Sequence, residues 1–219
     1  MRRVLLPVSI LLVSVGCGDP SDESVESSLT FVSSLPATDD TVSTPATTTT
    51  TTTTTDEEIL VLAEFDSELS VDAWYVQNDT VMGGVSSSDL SWSDGDLIFS
   101  GNLSTDNNGG FTSMRGPILP FIPSSGLTAI SVVAQGDGRT YLMQIRTDTD
   151  SYVQRFTPGE TMSGTTLKIS GFTATDWRLS PIPDRPPLVS EAVRQVAVYL
   201  VDKQVGEFVL RLRSISIVG

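Results

Sequence analysis

Hydrophobic and polar residues alternate in short runs through most of this chain. From Ile59 onward, β-branched and aromatic segments are broken by Gly, Asn, Asp and Pro at intervals of roughly ten residues, with no sustained helical period. This pattern predicts strands near 61–65, 74–77, 87–92, 97–103, 111–115, 127–134, 141–147, 152–157, 166–169, 193–201 and 207–218. So many short strands predict an all-β sandwich.

Two strands show which faces are buried. Within 141–146, Tyr141 and Met143 share one face with Ile145, while Gln144 and Arg146 share the other. This alternation is typical of an antiparallel sheet that packs on one side. The segment 196–201 is apolar on both faces, which predicts a central strand. A single helical turn is predicted over 190–194.

The last strand changes phase. Alternate apolar residues from Phe208 to Leu212 share one face, whereas Ile215 and Ile217 fall in the opposite phase. One extra residue near Arg213 or Ser214 would restore the inward set, so we predict a β-bulge there. Arg211 lies on the outward face, where substitution by alanine is expected to cost under about 1 kcal/mol.

Residues 1–17 have the features of an export signal. Arg2 and Arg3 precede an apolar stretch that ends in small residues and Cys17. The stretch is shorter than the roughly 20 residues that span a bilayer as a helix. The segment before Cys17 resembles a bacterial lipobox, which implies acylation of Cys17 with diacylglycerol and palmitate-type chains, and a lipid anchor on the extracytoplasmic face of the cell membrane.

Residues 18–58 differ in composition from the rest. They are rich in Ser, Thr, Asp and Glu, contain an unbroken run of threonines from Thr47 to Thr55, and have no lysine or arginine. Such a segment buries too little apolar surface to offset its ordering entropy, so we predict a disordered linker. The folded domain is therefore expected over 59–219.

The charge excludes one class of partner. With 13 basic and 27 acidic residues the net charge is −14. The basic residues after Arg3 are scattered singly, so the chain lacks the basic stripe that nucleic-acid binding requires.

Four segments together resemble one known family. They are 74–86 (WYVQNDTVMGGVS), 109–113 (GGFTS), 136–141 (GDGRTY) and 202–208 (DKQVGEF). In this order they resemble the family of complex I intermediate-associated protein 30. The resemblance implies a galactose-binding-like jelly-roll β-sandwich and a role in assembling the respiratory NADH:ubiquinone oxidoreductase through protein partners.

Catalysis finds little support in the sequence. There is no histidine, which excludes triads and the usual zinc sites, and Cys17 is expected to be acylated. A carboxylate pair that hydrolyses glycosides stays open, because spatial separations are invisible at this level. The segment 106–109 is rich in oxygen atoms but lacks the ligand series of an EF-hand. We therefore expect a non-enzyme with no catalytic residue, metal or cofactor.

Two binding functions remain. The first is a protein-assembly or scaffolding factor anchored to the membrane. The second is a carbohydrate-binding module of the cell envelope, for which Trp92, Tyr152 and Trp177 are candidates to stack on sugars, although aromatic residues in a sandwich are more often core.

A binding patch is predicted from the charged and amide residues of the family segments. Loops at one end of a sandwich commonly carry binding residues. The predicted patch consists of Asn78, Asp79, Arg139, Lys203 and Gln204. The alternative is that these residues only brace the loops through mutual ion pairs.

Overall fold

A computed structural model describes residues 58–121 and 126–219. The predicted export signal, the acylation site Cys17 and the linker up to residue 57 lie outside the described residues. All eleven predicted strands are present, with ends that shift by a few residues, and the described residues contain one additional strand. The strands are β1 (Ile59–Glu64), β2 (Tyr75–Asn78), β3 (Ser87–Ser93), β4 (Asp96–Leu103), β5 (Thr112–Arg115), β6 (Ala129–Gln135), β7 (Tyr141–Arg146), β8 (Ser151–Phe156), β9 (Ser163–Lys168), β10 (Thr173–Thr175), β11 (Gln195–Leu200) and β12 (Gly206–Val218).

The strands form two antiparallel sheets, which confirms the all-β jelly-roll sandwich. Sheet A has the order β3-β4-β12-β6-β9, and β1 pairs with the second half of β12. Sheet B has the order β10-β8-β7-β11-β5-β2. Strand β11 is central in sheet B and buried along its whole length, as its apolar pattern predicted.

The main core fills the space between the sheets. Phe99 and Phe208 meet edge to face with ring centroids 5.0 Å apart, and Phe65 meets Trp74 in the same way at 5.4 Å. Such aromatic pairs add stabilisation beyond the area they bury.

The predicted bulge is confirmed in β12. The pairing of β12 with β6 shifts register between Leu212 and Ser214, so Arg213 is the extra residue. As a result, Leu212 and Ile215 are both fully buried despite their opposite phase in the sequence. The predicted turn near 190–194 is also present, as a 3-10 turn over Ser190–Ala192.

Two features of the structure were not expected from the sequence. Strand β10 was not predicted, because its three residues are too few to show alternation. Arg211 does lie on the outer face of sheet A, but it contacts a buried carboxylate. Its guanidinium donates two hydrogen bonds to Asp96 Oδ2, at 3.0 and 3.1 Å, and Arg213 donates to Oδ1 at 3.0 Å. Substitution of Arg211 therefore removes part of a buried charge pair.

Candidate binding sites

Four family segments meet at one end of the sandwich, which we call the loop end (residues 79–86, 104–111, 136–140 and 202–205). In sheet A, Ser87 pairs with Asn102 and Gly206 pairs with Leu103, so the ends of β3, β4 and β12 that adjoin these loops lie side by side. In sheet B, Thr112 pairs with both Asn78 and Leu200 at the same end. The register thus brings together segments that are far apart in sequence.

Asp79 is the centre of one half of the loop end. Its side chain is buried, with 1% of its surface exposed. It accepts hydrogen bonds from the Ser86 hydroxyl at 2.6 Å, the Ser86 N–H at 3.0 Å, the Gly110 N–H at 2.7 Å and the Phe111 N–H at 3.3 Å. Burial alone would raise the pKa of Asp79, but these four hydrogen bonds outweigh it and lower the pKa. Asp79 therefore remains charged and joins two loops.

Two glycines make room for this carboxylate. A Cβ atom on Gly84 would overlap the Asp79 side chain, and one on Gly109 would lie 2.6 Å from Asp79 Oδ2. A side chain at either position would push the two loops apart. Packing around Asp79 thus explains one glycine of each pair, Gly84 and Gly109, while Gly83 and Gly110 adopt positive φ angles of 91° and 133° that favour glycine.

Asn78 and Arg139 also make hydrogen bonds within the loops. Asn78 Oδ1 accepts from the Ser88 and Thr112 hydroxyls at 2.7 and 2.6 Å. Arg139 donates to the backbone oxygens of Gln204 and Glu207, both at 2.6 Å, and pairs with Asp137 at 3.2 Å.

Gln204 and Lys203 lie in the same turn, but Gln204 is hydrogen-bonded within the loops and Lys203 is exposed. The Gln204 side chain accepts from the Thr140 N–H and donates to the Thr140 and Val201 carbonyl oxygens. Lys203 adopts a left-handed conformation (φ 57°), is exposed, and makes no ion pair with the described residues. The predicted patch thus comprises two internal braces, Asn78 with Asp79 and Arg139 with Gln204, and one cation, Lys203, that forms no ion pair among the described residues.

Large apolar side chains are exposed on these braced loops. Val81, Met82 and Val85 lie on the loop that Asp79 holds, and Val205 lies beside Lys203. Between 51 and 67% of each of these residues is exposed. These exposed apolar residues make the loop end one candidate contact surface.

A second surface is the face of sheet B that points away from the main core, which we call the polar face. It includes a small apolar cluster separate from the main core. Strand pairing arranges its side chains in three rows across the sheet, starting from the loop end: Gln77, Ser113, Tyr199, Leu142 and Arg155; then Tyr75, Arg115, Ala197, Gln144, Val153 and Thr173; then Gln195, Arg146, Ser151 and Thr175.

Hydrogen bonds hold the middle of the polar face. Arg115 lies over the Tyr199 ring at 5.3 Å and donates to its hydroxyl at 2.6 Å, and Tyr199 donates to Gln144 Oε1 at 3.2 Å. On the third row, Arg146 donates to Gln195 Oε1 at 3.1 Å. Burial raises the pKa of the Tyr199 hydroxyl, although the charges of Arg115 and Arg146 oppose that shift. Tyr199 therefore stays protonated and can donate a hydrogen bond.

Two of the three arginines on the polar face, Arg115 and Arg146, differ from most other arginines. Within the described ranges, six arginines pair with carboxylates, namely Arg139, Arg155, Arg185, Arg194, Arg211 and Arg213. Neither Arg115 nor Arg146 has a carboxylate oxygen within 4.0 Å in this part of the chain. Within the described part of this acidic chain, both are thus positive charges without a carboxylate partner.

A pocket of about 350 Å³ continues from the third row to the edge of sheet B. Arg146 and Thr175 line it, and Trp177 stands at its side with 74% of its surface exposed. The Arg178 guanidinium lies 4.5 Å from the centre of the Trp177 ring. The volume of this pocket falls in the range of about 300–1,000 Å³ that is typical of small-molecule sites.

The three aromatic residues named from the sequence have different environments. Tyr152 is buried and donates to the Pro186 carbonyl oxygen, and Trp92 donates from Nε1 to the Phe65 carbonyl oxygen. Trp177 alone of these three is mostly exposed. Sequence reasoning missed Arg115 and Tyr199. The alternation of Gln144 and Arg146 along one strand was a signal, but the partner strands were unknown.

The described residues contain neither a metal-ligand cluster nor a membrane-spanning helix. Within 58–121 and 126–219, no group of three or more acidic, histidine or cysteine side chains is arranged to hold a metal ion. In the same ranges, no helix has the length and apolarity needed to cross a membrane.

Solved structures share this fold. A family 11 carbohydrate-binding module from Clostridium thermocellum, in complex with a β-1,3-1,4-mixed-linked tetrasaccharide, is 17% identical with a TM-score of 0.51, over 74% of this chain and 95% of that chain. The corresponding module of a cellulosomal cellulase from the same organism is 16% identical with a TM-score of 0.52, over the same shares. At such low identity the likeness concerns the fold alone.

The sequence comparisons identify the family. Comparison with curated proteins gives no match. Residues 63–212 match the family described as complex I intermediate-associated protein 30, and this range is more than half of the chain. It includes all four segments on which the resemblance was based. The chain belongs to the complex I intermediate-associated protein 30 family.

Proposed function

We propose that this protein is an exported lipoprotein whose domain binds a protein partner without catalysis, as an assembly or scaffolding factor. One observation carries the proposal. The buried carboxylate of Asp79 fixes a loop that exposes Val81, Met82 and Val85 to solvent. A structure that uses a buried charge to hold apolar groups outward supports a rigid docking surface.

The chemistry of the loop end fits a protein partner. Protein interfaces have an apolar centre surrounded by polar groups, and a rigid surface loses little entropy on binding. The exposed valines and Met82 supply the apolar part, and Lys203 supplies a charge near it. The family description, which names association with an intermediate of complex I, supports the same class of partner.

The anchor determines where such a partner could lie. Acylated Cys17 would hold the chain at the extracytoplasmic face of the cell membrane. The acidic segment 18–58 would be repelled by an anionic leaflet, which keeps the domain away from the lipid surface. The partner would therefore be a protein exposed on that side of the membrane.

Photo-crosslinking in living cells tests this proposal. A photoreactive amino acid replaces Met82 in the full chain, and the matched control places it at Ile118, which is 69% exposed. Ile118 lies at the opposite end, since the neighbouring Leu119 N–H bonds to Arg194 before the start of β11. We expect a discrete protein adduct from position 82 and none from position 118. Equal or absent crosslinking at the two positions would overturn the proposal.

A second candidate function is binding of envelope carbohydrate. The exposed Trp177 beside a polar pocket favours it, because an indole plane stacks on the C–H face of a pyranose ring. Sedimentation with isolated cell-wall polysaccharide tests it: wild-type protein should co-sediment, and the Trp177→Ala variant should not. Failure of the wild type to co-sediment would remove this candidate and leave the crosslinking result unaffected.

A further inference from the structure

The polar face suggests which carbohydrate this protein would bind. We propose that the polar face and the adjoining pocket bind an acidic polysaccharide, with uronate carboxylates at Arg115 and Arg146 and a sugar ring on Trp177. This inference rests on the second candidate function, carbohydrate binding. It adds the charge of the ligand and the residues that recognise it.

The distribution of charge on the polar face favours an anionic ligand. The protein is strongly acidic, and most arginines of the described residues are neutralised by a carboxylate. Arg115 and Arg146 are exceptions, and both lie on the polar face on the two strands that flank β11. A guanidinium presents a planar set of donors that matches a carboxylate. An anionic ligand would supply the missing countercharge.

The arrangement of the polar face favours a sugar over a peptide. Ala197 is paired with Arg115 on one side and Gln144 on the other, so a small side chain lies between two long ones. On the polar face Arg146 is exposed and Arg115 is partly exposed, whereas the amide and hydroxyl residues between them are at most 6% exposed (Gln144, Gln195 and Tyr199). The inner strands of this sheet are already paired on both sides. A peptide that binds by adding a strand needs a free sheet edge, which the middle of this face lacks. Sugars are recognised by side-chain hydrogen bonds and aromatic planes, and this face provides both.

The length of the polar face favours a chain of several sugars. Exposed aromatic residues stand at opposite sides of the sheet, Tyr75 on β2 (50% exposed) and Trp177 beyond β10. The five strand spacings between β2 and β10 measure about 24 Å at about 4.8 Å each. A surface of this length fits several linked sugars better than one small molecule.

Three aspartates line the pocket, and each has a partner of its own. Asp150 pairs with Arg185 at 3.2 Å and Asp148 pairs with Arg194 at 3.1 Å, whereas Asp176 Oδ1 accepts hydrogen bonds from the Arg178 and Ser180 N–H groups. The Thr175 Oγ1 atom lies in the pocket wall, buried and without a hydrogen-bond partner among the described residues.

Binding of defined oligosaccharides to the full chain tests this inference. The probes are oligomers of galacturonate, guluronate, mannuronate and glucuronate, each compared with its methyl ester, which keeps the sugar and removes the charge. We expect at least one acid oligomer to bind, its ester to bind at least tenfold more weakly, and its affinity to fall with added salt. An acidic peptide, poly-glutamate, should not compete.

Variants locate the site. Arg146→Gln keeps a planar hydrogen-bonding group and removes the charge, and we expect it to lose affinity at least tenfold. Lys168→Gln removes one positive charge from an exposed position on sheet A and should bind as wild type. Hydrogen exchange of the wild-type protein with bound oligomer should show added protection in β5, β7 and β11, which maps the site even if Arg146→Gln fails to fold.

The possible binding results have different consequences for the inference. Equal binding of acid and ester would overturn the acidic assignment and leave carbohydrate binding intact. Absence of binding to every oligomer would overturn this inference, and co-sedimentation with cell-wall polysaccharide would then decide the second candidate function separately. Competition by poly-glutamate would assign the polar face to an acidic protein segment instead.

Discussion

The carboxylate of Asp79 accepts hydrogen bonds from both the hydroxyl and the backbone N–H of Ser86, at 2.6 and 3.0 Å. Together with the bonds from Gly110 and Phe111, these contacts depend on the charged form. We expect Asp79→Asn to lower the free energy of unfolding by about 2 to 3 kcal/mol, because an amide nitrogen cannot accept the hydrogen bonds made by one of the two oxygens. Urea denaturation at neutral pH measures the loss.

The pH dependence gives an independent check of the same substitution. The pKa of Asp79 is lowered by folding from 3.8, so its contribution is fully present above that value and is lost as the pH falls through the folded-state pKa. The difference in unfolding free energy between wild type and Asp79→Asn should therefore be constant near neutral pH and shrink below about pH 3.8. The control variant Asp89→Asn, at an exposed position, should change the free energy of unfolding little. A difference that grows on acidification would contradict the assignment.

Gly84 should tolerate no side chain. Its Cβ would overlap Asp79, so we expect Gly84→Ala to cost about 1 to 3 kcal/mol by overpacking. Gly164, on the edge strand β9, serves as control, because a Cβ atom added to it would enter open space. Equal unfolding free energies for the two alanine variants would show that the loops can move apart without cost.

Phe208 and Arg211 test the two faces of β12. Phe208→Ala should lower the free energy of unfolding by about 3 to 5 kcal/mol, because it leaves a cavity against Phe99. Arg211→Ala should cost about 1 to 2 kcal/mol, since Asp96 keeps only Arg213. Thermal and urea unfolding measure both. A negligible loss for Arg211→Ala would mean that Arg213 alone neutralises Asp96.

Arg139 and Lys203 should differ although both belong to the predicted binding patch. Arg139 donates to two backbone oxygens of the following turn, so Arg139→Ala should lower the melting temperature by several degrees. Lys203→Ala should leave it unchanged and weaken the crosslink from position 82. If Lys203→Ala melts lower and Arg139→Ala does not, the division between braces and exposed residues is reversed.

Cys17 tests the anchor. Cys17→Ser removes the proposed acylation site, so the protein should move from the detergent-rich phase to the aqueous phase or the medium. Phase separation of membrane fractions measures the shift, and Ser14→Ala, which keeps the cysteine, is the control. Unchanged partitioning of Cys17→Ser would exclude lipid anchoring at this residue.

Local patterns were sufficient for much of the fold. The phase change between Leu212 and Ile215 predicted a bulge, and the pairing of β12 with β6 confirms one. The apolar run 196–201 predicted a central strand, and β11 is central. Both succeed because side-chain direction alternates strictly along a strand, so burial is written directly into the sequence. The three residues of β10 gave no such signal.

What each residue contributes at the binding surfaces depended on the tertiary structure. The sequence placed Asp79 and Arg139 in loops of the family segments, but whether such groups face solvent or brace the loops is decided by the donors that folding brings to them. For Asp79, two of the residues that donate hydrogen bonds lie more than thirty positions away. Arg115 and Arg146 looked like ordinary outward side chains. Only strand pairing put them on one face, where neither has a carboxylate partner among the described residues. The pairing order of distant strands is set by the packing of both sheets and has no local signature.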